Sequence, residues 1–232
     1  MKLLAIDTSG HALSAAIAEN GAVIGSFGAD TGKNHSLELL PLLDKLLKEK
    51  SLKLGDMDAF AVTAGPGSFT GLRIGLATVK AWCQSLDKPL IAVSSLDAMA
   101  AAAGDSGYVA PIFDARRNEL YTALYLDGKR LTPDRAVAPD VLGRELVALQ
   151  KPVIFAGDGL RSYGDELKEM LGSAFCLPSH GNTLFMAEAA SLLACEKYGK
   201  GEFAEVNTLT PVYLRLSEAE EKRLEAERNA GK

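Results

Sequence analysis

The 232-residue sequence predicts an α/β protein made of two α/β halves. Three observations carry that reading. Three antiparallel strands open the chain, helices and buried strands alternate after them, and the order begins again past residue 104 with a strand ending in Asp followed by a second strand. A hydrophobic content of 47% over this length is enough to bury a good core in one or two domains.

Residues 2–7 form an apolar run ending in Asp7-Thr8-Ser9-Gly10, and residues 13–19 form a second; the turn-rich segment between them closes a β-hairpin. A third strand over 22–27 follows Asn20-Gly21, a dipeptide that accepts the positive φ of a tight hairpin. Over 36–50 the period becomes helical. Leu37, Leu39, Leu40, Leu42, Leu43, Leu46 and Leu47 recur among Glu38, Asp44, Lys45, Lys48 and Glu49, an apolar face wider than one buried side needs. A buried strand over 58–63 breaks at Gly65-Pro66-Gly67-Ser68, and a helix runs over 69–85. Residues 91–93 are the next strand and 95–103 an alanine-rich helix. Turn formers cluster at 104–107, the predicted boundary between an N-terminal unit, 1–104, and a C-terminal unit, 105–216. In the second unit 109–114, 119–126 and 153–156 read as strands, and 139–149, 165–171 and 184–198 as helices. The tail, 217–232, is charged, with Glu218 four residues before Lys222; it reads as a solvated helix and receives no chemistry.

A net charge of −5 supplies no excess of cations for a phosphate backbone, so the chain alone is a poor binder of nucleic acid. Cys83, Cys176 and Cys195 are odd in number and far apart, which argues for a reducing compartment and against a disulfide framework or thiolate metal site. The first apolar run meets Asp7 too early for a signal peptide, and no stretch approaches the ~20 apolar residues of a membrane span. The expected location is the cytoplasm.

Four segments are candidates for chemistry. Asp7, Thr8 and Ser9 place a carboxylate and two hydroxyls at a strand end, where they either face a metal-bound phosphate or only bond their own turn. The run from Gly65 to Arg73 leads from a strand through a glycine turn into a helix, so free amides and the helix dipole suit an anion, with Ser68 or Thr70 as cap. It lacks the lysine of a P-loop. Gly67, Gly71 and Gly75 recur every four residues, however, and such a bare face equally suits close packing of another element, within the chain or across an interface. In the second half, Asp114, Arg116, Arg117 and Glu119 crowd one turn, either binding an anion or forming a local ion-pair cluster, and Gly157-Asp158-Gly159 approaches a ligand or simply turns. His11, His35 and His180 are isolated in sequence, and a His-x-x-x-His metal pair beginning at His35 would need histidine where Leu39 stands, so no metal is expected.

Taken in order, Leu4-Ala5-Ile6-Asp7-Thr8-Ser9, His35-Ser36-Leu37-Glu38-Leu39-Leu40-Pro41 and Ala64 to Gly75 with its Gly-Pro-Gly-Ser-Phe-Thr-Gly-Leu-Arg core resemble the TsaB family, also known as YeaZ. Asp114-Ala115-Arg116 with Glu119 and Tyr121, and Pro211-Val212-Tyr213-Leu214-Arg215, extend the likeness over essentially the whole chain. The resemblance implies the actin-like, sugar-kinase-like ATPase fold in two α/β subdomains. It also implies a partner role beside the catalytic paralogue TsaD and the ATPase TsaE in placing threonylcarbamoyl on adenosine 37 of transfer RNA, with tRNA met only through the complex. A homodimer is implied where TsaD is absent. Relative to TsaD, the second metal-ligating histidine is Leu39, and the Gly-Thr or Gly-Ser phosphate turn of actin-like ATPases is replaced by Asp114-Ala115-Arg116-Arg117.

These departures predict a scaffold without catalytic residues, with no metal and no required cofactor; a nucleotide, where one is bound, is expected at the partner interface. Asp7, Thr8, Ser9, Gly65, Gly67, Ser68 and Thr70 are then a vestigial nucleotide or anion site. The partner surface is expected on helices 36–50 and 69–85, at His35, Leu39, Leu43, Phe69, Gly71, Leu72 and Gly75, unless those positions belong to the internal core. The alternative function is a small actin-like ATPase or kinase with its own turnover. A peptidase is disfavoured, since no nucleophile has an identifiable base.

Overall fold

A computed structural model describes residues 1–30, 35–104, 106–179 and 185–215. Strands β1 (Lys2–Asp7), β2 (Leu13–Glu19) and β3 (Ala22–Ala29) form an antiparallel meander, and β4 (Ala59–Thr63) and β5 (Leu90–Val93) join it in parallel, in the order β3-β2-β1-β4-β5. All five residues of β4 are buried, which is why it reads as a continuous apolar run rather than an alternating one. A second sheet has the order β10-β7-β6-β11-β12, from β6 (Tyr108–Arg116), β7 (Glu119–Thr122), β10 (Arg135–Val137), β11 (Val153–Ala156) and β12 (Phe175–Cys176).

Five layers result. Helices α1 (His35–Glu49) and α2 (Phe69–Leu86) cover the outer face of the first sheet, burying Leu39, Leu43, Leu46, Leu76 and Val79 against Leu4, Ile6, Phe60 and Val62. Helices α3 (Ser95–Ala103) and α6 (Ala187–Gly199) fill the middle, where Leu3 and Ala5 of β1 share one cluster with Met99, Ala190, Val109, Phe113 and Ala156. Helices α4 (Pro139–Ala148) and α5 (Leu160–Leu171) close the second sheet through Leu142, Leu146, Leu167 and Leu171.

Three expectations need correction. The strand over 119–126 is two strands: β7 pairs with the end of β6, while β8 (Tyr125–Leu126) pairs with Tyr108 and Val109 and with β9 (Lys129–Arg130). The register is common to both ladders, and Pro111, which has no amide hydrogen to donate, stands at the gap between them. The C-terminal unit does not run from 105 to 216 as one body either. Helix α6 lies on the first sheet and on α3, Ala204 bridges to Leu90, and the Val212 amide donates to the Ala64 carbonyl at 2.7 Å. Its buried face is Ala187, Ala190, Ser191 and Ala194, small residues that let a helix sit between two layers. Helix 165–171 begins earlier, at Leu160. Asp105 at the predicted boundary, His180, the start of helix 184–198 and the tail 217–232 lie outside the described residues.

Candidate functional site

Asp7 closes β1 with its side chain fully buried. One carboxylate oxygen, Oδ1, accepts from Thr63 Oγ1 at 2.6 Å, Ser9 Oγ at 2.6 Å and the Ser9 amide at 3.0 Å; the other, Oδ2, is buried without a hydrogen-bond partner. Burial pushes the Asp7 carboxyl above its ordinary range, against the pull of those hydrogen bonds. Thr8 and Ser9 are buried as well, and Thr8 Oγ1 donates to the Gly71 carbonyl at 2.7 Å. The segment therefore bonds its own turn and the helix above it.

That helix is α2, capped by Ser68, whose hydroxyl accepts from the Gly71 amide at 3.2 Å. The Ser68 amide donates to the Ser9 carbonyl at 2.7 Å, and the Gly65 amide to Ser95 Oγ at 3.1 Å. Donors that an anion would need at Gly65, Ser68 and Gly71 are thus engaged inside the chain. A β-carbon at Gly67 or Gly71 would overlap the backbone oxygens of Ser9 or Thr8, and one at Gly75 the Thr8 hydroxyl. The glycine face serves close packing of α2 on the β1–β2 turn. A metal-bound phosphate does not fit against Asp7: the carboxylate is sealed, and the turn above it is bonded to its neighbours. Ser68 and Thr70 alone of the anion-site residues are exposed.

The expected partner surface is corrected in the same way. Leu39 (1% exposed), Leu43 (2%) and Leu72 (1%) are core residues, and Gly71 and Gly75 are buried on Thr8, so none of the five offers surface to a partner. The apolar residues that α1 does expose are Leu37 (72%) and Leu40 (53%), beside exposed Pro41. On α2 the outward stripe is Thr70, Arg73, Ala77, Ala81 and Gln84. Phe69 is half-buried, stacked on Tyr213 at 4.5 Å with the Arg73 guanidinium 3.9 Å above its ring. His35 sits at the start of α1 with Nε2 3.0 Å from the His11 carbonyl. Among the described residues no group of three His, Cys, Asp or Glu side chains is placed to hold a metal ion.

The second half contributes Asp114 of β6 and Asp158, two residues past the end of β11. Asp158 accepts from the His11 amide at 2.9 Å and the Asp114 amide at 3.2 Å, tying the two halves; burial, with Asp114 nearby, raises its carboxyl above the ordinary range. His11 Nδ1 lies 2.7 Å from Asp30, which also pairs with Arg161 of α5, and these contacts hold the Asp30 carboxyl below its usual range. The charged turn after β6 is a local ion-pair cluster: Asp114 pairs with Arg116 at 3.3 Å and Glu119 with Arg215 at 2.8 Å. Sequence reasoning missed the Asp158–His11 and Arg161–Asp30 ties, because their partners stand 147 and 131 residues apart with no spacing rule to connect them.

The family model described as "TsaD: tRNA N6-adenosine threonylcarbamoyltransferase" matches residues 25–191. The tRNA threonylcarbamoyladenosine biosynthesis protein TsaB of Bacillus subtilis is 35% identical over 98% of this chain and 100% of its own length. Among solved structures, an uncharacterized Pseudomonas aeruginosa protein with similarity to the peptidase YeaZ superposes with a TM-score of 0.78 at 31% identity, over 92% of this chain and 99% of that one. An activator of 2-hydroxyisocaproyl-CoA dehydratase from Clostridium difficile, with a TM-score of 0.56 at 13% identity over 87% of this chain and 97% of that one, shares the actin-like fold alone. Near-complete coverage at this identity, on an actin-like body whose Asp7 turn and glycine-faced helix interlock, shows that the chain belongs to the TsaB family.

Proposed function

We propose that the chain is a non-catalytic partner subunit in the formation of threonylcarbamoyladenosine at adenosine 37 of transfer RNA, pairing with TsaD and working beside TsaE. One observation carries the reading: the chain has a body related to TsaD, yet Leu39, at the second position of the metal-binding pair, is a core residue only 1% exposed. A leucine side chain has no lone pair with which to hold a metal. The sealed Asp7 and the engaged donors of the glycine turn support the same conclusion for nucleotide turnover, which disfavours an independent ATPase or kinase.

The reading needs a partner surface. Leu37, Leu40 and Pro41 on α1, beside the small-residue stripe of α2 with Ala77 and Ala81, supply a two-helix face that a related two-helix face can cover as a four-helix bundle. TsaD is the preferred occupant; without it, a second copy of this chain takes the same place. No cofactor is required by this chain, a nucleotide would rest at the partner interface, and tRNA is met through the complex. No described helix is long and apolar enough to cross a membrane.

Sedimentation velocity of the purified chain with TsaD is expected to show a species heavier than either alone, with ATP turnover by the isolated chain at background. Absence of any complex at about 10 μM, or turnover by the chain alone near 1 per second, would overturn the proposal.

A further inference from the structure

A cavity of about 170 Å³ lies in the second half of the molecule, between β7 and α4, far in the fold from the α1–α2 face. Its wall is apolar: Ala110, Ala123, Leu142, Leu146 and Leu149. The pocket is partly open to solvent, and its apolar wall favours an apolar occupant over water. Apolar cavities of about 150 Å³ stay dry and take up benzene-sized molecules.

The polar groups of the cavity are Thr122, Thr132, Arg135 and Glu145. Arg135 Nε is buried and has no hydrogen-bond partner, while the two terminal nitrogens of the same guanidinium are held by Glu145, one of them at 3.1 Å. Thr132 Oγ1 accepts from the Leu124 amide at 2.8 Å, which leaves its proton to donate. Thr122 Oγ1, itself 1% exposed, reaches the Ala123 carbonyl only at 3.5 Å, a weak bond. The site thus offers donors, above all Nε, and Glu145 has already balanced the guanidinium charge. A buried donor without an acceptor is costly, and a ligand oxygen placed there removes the cost.

We propose that this cavity is a binding site for a small uncharged carbonyl compound with a benzene-sized apolar body, its oxygen accepting from Arg135 Nε. An anionic ligand would compete with Glu145 for the guanidinium; a hydrocarbon would leave Nε as it is. Nothing in this inference depends on the partner-subunit reading.

The test is titration of the full chain with benzamide, and separately with toluene, followed by amide chemical shifts. Benzamide is expected to bind saturably with Kd below about 1 mM, consistent with the affinity open to a ligand of so few atoms, and to move the amides of Thr122, Ala123, Leu124 and Leu146. It should bind at least ~10-fold more tightly than toluene, the difference expected for one additional hydrogen bond to a charged donor. Arg135→Leu, checked for a parent-like amide spectrum, should abolish that preference while toluene still binds. Leu146→Trp should fill the cavity and remove both. No saturable shifts with benzamide, shifts confined to other residues, equal affinity for toluene, or an unchanged preference in Arg135→Leu would each overturn the proposal; should Leu146→Trp fail to fold, the Arg135→Leu comparison decides.

Discussion

Gly71 fixes how α2 meets the first sheet. Helix propensity alone favours alanine there by up to about 1 kcal/mol, but a β-carbon would overlap the Thr8 carbonyl oxygen, a backbone atom that cannot swing aside. We therefore expect Gly71→Ala to lose about 2–3 kcal/mol through overpacking, seen as a fall of roughly 4–12 °C in Tm for a chain of this size. A Tm equal to or above that of the parent would show that α2 does not sit on Thr8. Asp7 makes a second residue-scale prediction. Its folded pKa is raised above the ordinary 3.8 by burial, so the folded state holds its proton more tightly than the unfolded state. Stability from this group is fully present below pH 3.8 and is lost as pH rises through the folded value. Asp7→Asn removes that loss, and thermal melts should show its Tm rising relative to the parent as pH goes from 4 to 7; a pH-independent difference would contradict it. The Gly67-Gly71-Gly75 spacing was readable in the sequence, but the surface it meets was not, since Thr8 lies 63 residues away.

Helix α1 shows how far periodicity reaches. Seven leucines in twelve positions made the helix plain, and because Glu38, Asp44, Lys45, Lys48 and Glu49 share one arc of it the inward phase of Leu39, Leu43 and Leu46 was readable too; what periodicity does not show is that this inward face meets the chain's own sheet and leaves only Leu37 and Leu40 outside. Pro41 was a usable signal: inside a helix it removes the amide that would bond the Leu37 carbonyl, and that carbonyl is better tolerated facing water than core. The corrected face gives a sharp contrast. Leu40→Lys should leave the melting profile within about 0.5 kcal/mol of the parent, as surface changes do, yet weaken association with TsaD by at least ~10-fold, or about 1.4 kcal/mol. Leu39→Lys should instead unfold the chain by burying an unpaired charge. If Leu40→Lys sediments with TsaD as tightly as the parent, the interface lies elsewhere. Strands were legible where runs were buried on both faces, as β1, β4 and β11 are, and illegible where Pro111 split the partner of β6.

At the scale of the molecule, three helical layers enclose two sheets, and the halves are joined by α6, by Asp158 on the His11 amide and by Arg161 with His11 on Asp30. These ties close the gap between the two halves, while among the described residues the outer face of α1 and α2 stays uncovered. The most direct measurement is reconstituted threonylcarbamoylation of transfer RNA by TsaD and TsaE with and without this chain. We predict modification that needs the chain, persists with Asp7→Asn and falls with Leu40→Lys. Full modification without the chain, or its loss on replacing Asp7 in a protein that still folds and still binds TsaD, would contradict a non-catalytic partner role.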